Sequence, residues 1–133
     1  MVVVDASVAV KWVLDEPGSE AAAALRDQPL LAPSLLLAEC ANALWVRQRR
    51  GELTAEEVTA RLAGLLVAPV VLVPLEELVE PGIELAIELG LTVYDSLYLA
   101  LALRGGHSLV TADRRIVEAA ERAGLQATVR LLG

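Results

Sequence analysis

Short apolar runs, most of them rich in β-branched residues, recur along this chain between longer segments of helical character. That alternation restricts it to an α/β domain built on a mostly parallel sheet. The runs "VVVD" at 2–5, "LLA" at 30–32, "VVLVPL" at 70–75, "SLVT" at 108–111 and "ATVRLL" at 127–132 read as about five strands. Parallel neighbours need crossovers of a dozen residues or more, and the segments between the runs supply them.

The helical segments are marked by their ends. "PGSEAAAALRD" opens on a turn with Ser19 as the expected N-cap, "TAEEVTARLAGLL" opens on Thr54 with Glu57 placed for a capping box, and "DRRIVEAAERAG" closes on Gly124. "SLLLAECANALWVRQRRG" at 34–51 is apolar almost all round and is expected to be deeply buried up to its basic end. Pro81 and Gly82 within "EELVEPGIELAIELG" predict a break or two short helices. With 133 residues and no repeat, linker or low-complexity segment, the chain is expected to be a single domain, 1–133, around one core.

Hydrophobic residues make up 56% of the chain, so a membrane location has to be considered. The longest apolar run, "LAGLLVAPVVLVPL" at 62–75, is interrupted by Pro69 and Pro74 and falls short of the roughly 18 residues that span a bilayer. "MVVVDASVAV" has no basic leader and contains Asp5, which is wrong for a signal peptide. The expectation is a soluble cytoplasmic protein. The single cysteine, Cys40, admits no intrachain disulfide and is read as a small buried apolar residue. One histidine, His107, argues against a zinc site or a His-based triad. The chemistry of this chain is carboxylate chemistry.

Asp95 stands within "TVYDSLYLALAL", a segment that otherwise reads as buried helix, and a lone buried carboxylate costs several kcal/mol unless it is paired, hydrogen-bonded or bound to a metal. Asp5 ends the first strand and Asp113 follows "SLVT" after one residue. Each has a plain reading as a helix N-cap. In a parallel α/β sheet, however, all strand C-terminal ends lie along one edge, where ligands bind. Asp5, Asp113 and Asp95 are therefore expected at one edge, where they would raise each other's pKa values unless a cation neutralised them. Glu39 is a fourth acid in an apolar helix, "LLLAECANAL", with Asn42 one turn further on the same face; the alternative is a polar pair bonded within the core.

All-oxygen ligands suit Mg²⁺ or Mn²⁺, and four acids can hold one or two such ions for water activation and in-line phosphodiester displacement. Ser7 and Thr111, each two residues from an acid, are candidates to orient the water or a phosphate; turn and cap chemistry is the alternative.

The blocks "VVVDASVAVKWVLDEPGSEAAAAL", "APSLLLAECANALW", "LTVYDSLYLALAL" and "LVTADRRIVEAAERAGL" resemble, in this order, the four acidic blocks of PIN-domain ribonucleases, and most of all the VapC-type toxins of toxin–antitoxin pairs. The resemblance covers essentially the whole chain. It implies a three-layer α/β/α sandwich, divalent-metal-dependent endonuclease action on RNA, a homodimer, and inhibition by a cognate VapB-type antitoxin. By position, Asp5, Glu39, Asp95 and Asp113 match the acidic quartet and metal ligands, Ser7 and Thr111 the accompanying hydroxyl residues, and Asn42 the polar residue one turn after the glutamate.

A net charge of −7 disfavours non-specific attraction to RNA. Phosphate contacts then fall to local arginines: "RQRR" at 47–50, Arg104, and Arg114 with Arg115, although the 47–50 run also suits a helix C-terminus on a solvated face. Trp12 and Trp45 are expected in the core, with a dimer or antitoxin groove as the other use. Two further functional classes compete with the nuclease. A silent interaction module would keep the fold without turnover; a phosphoacceptor signalling domain would need a lysine at a late strand end, and the only lysine, Lys11, follows the first strand.

Overall fold

In the computed structural model, which describes residues 1–133, five strands form one sheet: β1 (Val2–Val4), β2 (Leu30–Pro33), β3 (Val70–Val73), β4 (Ser108–Thr111) and β5 (Val129–Leu131). Their order is β3-β2-β1-β4-β5, and every pairing is parallel. Seven helices make the crossovers: α1 (Ala6–Ala9), α2 (Ser19–Ala24), α3 (Leu35–Arg49), α4 (Ala55–Leu66), α5 (Val79–Leu89), α6 (Val93–Gly105) and α7 (Arg114–Arg122). The chain thus runs outward from β1 to β3 and then returns across to β4, so the strand order reverses between β1 and β4. That is the switch point of an open α/β sheet.

Alternation along the central strand separates two cores. Val3 joins the larger cluster with residues of α3 and α6, whereas Val2 and Val4 join the smaller one with Ala22 and Leu25. This is the expected α/β/α layering, with β5 shorter than its sequence run because Ala127 and Thr128 precede the ladder. Thr54 and Glu57 form the capping box of α4. No single helix is long and apolar enough to cross a membrane.

Four expectations need correction. Ser19 is the first residue of α2 and not its cap: Gly18, at φ +91°, occupies the cap position, and the Ser19 hydroxyl donates to the Leu14 carbonyl while accepting from the Glu16 amide. Pro81 and Gly82 do not break α5. Pro81 falls in its first turn, where the missing N–H has no intrahelical acceptor, and Gly82 lets α5 press against α6, since a Cβ there would meet Leu97 Cδ2 at 2.8 Å. α3 is not deeply buried: only Leu36, Cys40 and Leu44 are, on a single stripe, while Asn42 and Trp45 face solvent. Trp45 is consequently 54% exposed rather than packed in the core, with the Arg49 guanidinium 5.8 Å from its ring centroid. Trp12 does pack against both clusters, and its indole N–H donates to the Ala22 carbonyl.

Candidate active site

The register sets Val4 beside Val110, so the next residues along, Asp5 and Thr111, come side by side as the two strands end. Asp5 is 6% exposed. Thr111 Oγ1 donates to its Oδ2 and Ser7 Oγ to its Oδ1, both at 2.5 Å, and the Val8 amide also reaches Oδ1, at 3.3 Å, which caps α1. Burial still dominates and pushes the Asp5 carboxyl up to about 6, against the lowering effect of these donors. Each hydroxyl has one proton and spends it on Asp5. Ser7 and Thr111 therefore hold the acid, and as acceptors they take the amides of Ala112 (2.9 Å) and Asp113 (3.0 Å), tying the β4 exit to β1. Thr111 is wholly buried, so a direct hold on water or phosphate does not fit it.

Asp95 lies in the first turn of α6, but the cap of that helix is Thr92, whose hydroxyl accepts from the Asp95 amide at 3.1 Å. The Asp95 carboxylate is thus free of capping duty. Burial raises its pKa, with the Asp113 charge adding to the rise, and Asp95 in turn raises Asp5 and Glu39. Asp113 is the N-cap of α7 through the Arg115 amide, 2.9 Å away. The Arg115 side chain also pairs with it at 2.6 Å and holds its carboxyl below the usual range; the same guanidinium stands 3.9 Å from Asp95.

Glu39 comes from α3. Tyr98, one turn after Asp95 on α6, donates its hydroxyl to Glu39 Oε1 at 2.5 Å. Burial raises the Glu39 pKa and the Tyr98 bond opposes the rise. Nothing in the sequence reading pointed to Tyr98, although a buried tyrosine needs a partner for its hydroxyl, and a half-buried acid on a packed neighbouring helix supplies one. Glu39 shares with Asn42, Tyr94, Leu35 and Ala38 a cleft of about 440 Å³.

The structure thus gathers all four acids at one sheet edge and couples them electrostatically. It does not bring any three of them close enough together to hold one ion as they are arranged, because Tyr98 engages Glu39 and Arg115 engages Asp113. The donor set nevertheless suits a hard cation: every available ligand is a carboxylate oxygen, and the central one is a buried acid whose neighbours disfavour its charge. Ligation through Asp113 requires it to exchange Arg115 for the ion.

The remaining titratable groups stand elsewhere. His107 lies at the opposite end of the sheet, with Nδ1 3.3 Å from the Met1 amino group. Burial pushes the Cys40 thiol up to about 12, in keeping with a packing residue. Lys11 is engaged by Glu16 at 3.0 Å and the Pro17 carbonyl at 2.8 Å, which removes the lysine a phosphoacceptor site needs. Of the arginines proposed for phosphate, Arg47 is held by Glu16 and Glu52, and Arg104 by Glu77.

A family model described as the PIN domain matches residues 2–122 of this chain. The chain belongs to the PIN-domain family. Ribonuclease VapC3 of Pyrobaculum aerophilum is 36% identical over 120 residues, which cover 87% of this chain and 92% of that protein. Among solved structures, PAE2754 from Pyrobaculum aerophilum superposes on this PIN domain with a TM-score of 0.68 at 30% identity, over 89% of this chain and 84% of that one. VapC20 of Mycobacterium tuberculosis, described as a Sarcin-Ricin loop cleaving toxin, gives a TM-score of 0.67 over 90% of this chain and 95% of that one. At 17% identity that last likeness is one of fold. The acids that meet at the switch point are those of the four sequence blocks by which this chain resembles PIN domains.

Proposed function

We propose that this PIN domain is a VapC-type ribonuclease toxin that depends on Mg²⁺ or Mn²⁺ and cuts RNA at the edge where β1 and β4 end. The observation that carries the reading is Asp5: a carboxyl nine-tenths buried at the switch point, its pKa raised to about 6, with Asp95 adding to the rise. Asp5, Glu39, Asp95 and Asp113 are the residues that would hold the ion. When bound, a divalent cation supplies an acidified water and neutralises charge on the leaving oxygen.

The chain's own groups do the rest. Ser7 and Thr111 orient Asp5, and the Tyr98 hydroxyl keeps Glu39 at the crevice. Asp95, uncapped and 21% exposed in its side chain, faces the crevice between them with its charge unspent. Arg115 is the one cation of the chain already at this edge, and release from Asp113 frees it for a phosphate oxygen.

The VapC resemblance adds a cognate VapB-type antitoxin, a cytoplasmic location and a homodimer. An exposed apolar row on α5, Val79, Ile83 and Ile87 at four-residue spacing, offers a face for the second copy. A second reading, an interaction module without turnover, draws on the Arg115–Asp113 pair and on the dispersed arrangement of the acids.

The deciding experiment is cleavage of structured RNA by purified protein with Mg²⁺ or Mn²⁺, beside an EDTA control and an identically purified Asp95→Asn variant. Cleavage lost in both controls establishes the metal-dependent ribonuclease. Equal cleavage by the variant removes Asp95 from the site. Cation-dependent thermal stabilisation with no cleavage of any RNA favours the silent module.

A further inference from the structure

The outward face of α3 carries an arrangement that the acidic edge does not use. Ala38, Asn42, Trp45 and Arg49 follow one another at spacings of four, three and four residues, which places them along one side of the helix, and all are exposed. At one end of the row Ala38 and Asn42 line the cleft that also contains Glu39 and Tyr94. At the other, the Arg49 guanidinium covers the Trp45 ring, 5.8 Å from its centroid. From Ala38 to Arg49 the row is about 16 Å long.

The aromatic residues of this chain are divided in a telling way. There are two tryptophans, two tyrosines and no phenylalanine. Trp12 and Tyr98 are packed and hydrogen-bonded, whereas Trp45 is 54% and Tyr94 61% exposed. Both exposed rings lie on the route out of the acidic cleft. The cations nearest them are also uncommitted: Arg47 is in ion pairs, but Arg49 and Arg50 are in none. An apolar protein partner would call for aliphatic side chains on this row, and the exposed aliphatic row lies instead on α5. Rings alternating with polar and cationic groups suit an anionic strand that stacks.

We infer that this face is a track for single-stranded RNA, with bases stacked on Tyr94 and Trp45 and phosphates held by Arg49 and Arg50, leading the strand into the acidic cleft. Only unpaired bases present a free face to such rings, so duplex RNA does not use it. The track also gives a chain of net charge −7 a local means of attracting RNA. The inference rests on the ribonuclease reading and adds strandedness and named contacts to it.

The test is binding in EDTA, where the RNA stays intact. A 12-nucleotide single-stranded oligoribonucleotide and a duplex of the same length are titrated against the full chain. Tryptophan fluorescence reports stacking on Trp45, and the anisotropy of labelled RNA reports affinity. The expected result is saturable quenching by the single strand alone. In Trp45→Ala the quenching is lost and the affinity falls at least about fivefold; Tyr94→Ala weakens binding similarly; Arg49→Gln lowers the salt dependence by roughly one phosphate contact. Both rings are exposed, so the melting temperatures of these variants should match the parent.

Unchanged affinity and no quenching, in a protein that still cuts RNA, overturn the track while leaving the ribonuclease intact. Fluorescence that shifts with protein concentration in the absence of RNA, with a dimer that Trp45→Ala dissociates, assigns the face to a second copy and overturns it too. Failure to bind either RNA, together with absence of cleavage under metal, removes the ribonuclease reading and the track with it.

Discussion

Asp5 and Asp113 follow neighbouring strands at one sheet edge, and each caps the helix that comes next, yet their carboxyls are displaced in opposite directions. Asp5 is enclosed, and the two hydroxyls it accepts from do not offset its loss of water, so its charged form is disfavoured. Asp113 is open to solvent on one side and has a guanidinium on the other, so its charged form is favoured. The same group in the same local motif is thereby given two properties by what lies beyond the motif. A buried acid under electrostatic stress next to one that already has a counter-ion is a graded site, and the stressed member gains most from a cation.

The sharpest way to break this contrast is Asp5→Asn. RNA cleavage should fall to background, while the metal-free protein at pH 7.5 becomes more stable by up to roughly 3 kcal/mol, the worth of a displacement from 3.8 to about 6 in a fully enclosed group. The sign follows from the raised folded pKa. The parent's contribution from Asp5 is fully present below about pH 4 and is lost as pH rises through 6, so urea melts in EDTA should show stability falling over that window in the parent and a flatter profile in the variant. Saturating Mn²⁺ should remove most of the difference, because a ligand that binds only the folded chain stabilises it.

Next in size is Thr111→Val, which removes a buried hydroxyl that donates to a carboxylate. It should cost about 2 kcal/mol in urea unfolding at pH 7.5 and less at pH 4.5, where Asp5 is neutral. Tyr98→Phe keeps the ring and removes the donor to half-buried Glu39, with about 1 kcal/mol lost and a several-fold weaker Mn²⁺ dependence of cleavage. The smallest effect belongs to the exposed member of the pair. Arg115→Gln should change stability by less than about 0.5 kcal/mol, since the side chain is mostly in solvent, while tightening Mn²⁺ binding measured by calorimetry. If Arg115→Gln weakens cation binding instead, the guanidinium assists the site rather than occupying it.

Much of this architecture is written locally. Strand β4 coincides with its apolar run, the Thr54–Glu57 capping box forms as spelled, and the acids arrive at one edge because parallel topology leaves strand ends no other place. What escaped reading depends on partners distant in sequence. Tyr98 finds Glu39 across 59 residues, and no local pattern carries that information. α3 and α6 look equally apolar, but α6 lies over β1, β2 and β4 and is enclosed from Ser96 to Ala102, while nothing covers the outer side of α3. Pro81 was misleading for a simpler reason: a proline breaks a helix only beyond its first turn, and the start of α5 is set by Leu78 packing into the core.

The bond between Thr111 and Asp5 spans 106 residues, and it joins the first strand of the chain to the fourth. As the polypeptide is synthesised, Asp5 emerges at the outset, but the wall that orients it is made only after β4. At about 5–20 residues per second that interval lasts roughly 5–20 s. A chain released early, even one that already contains Asp5, Glu39 and Asp95, has no β4 beside β1 and so no assembled edge. For a protein whose substrate is the cell's own RNA, this order of assembly keeps every unfinished copy harmless to the machinery that is making it.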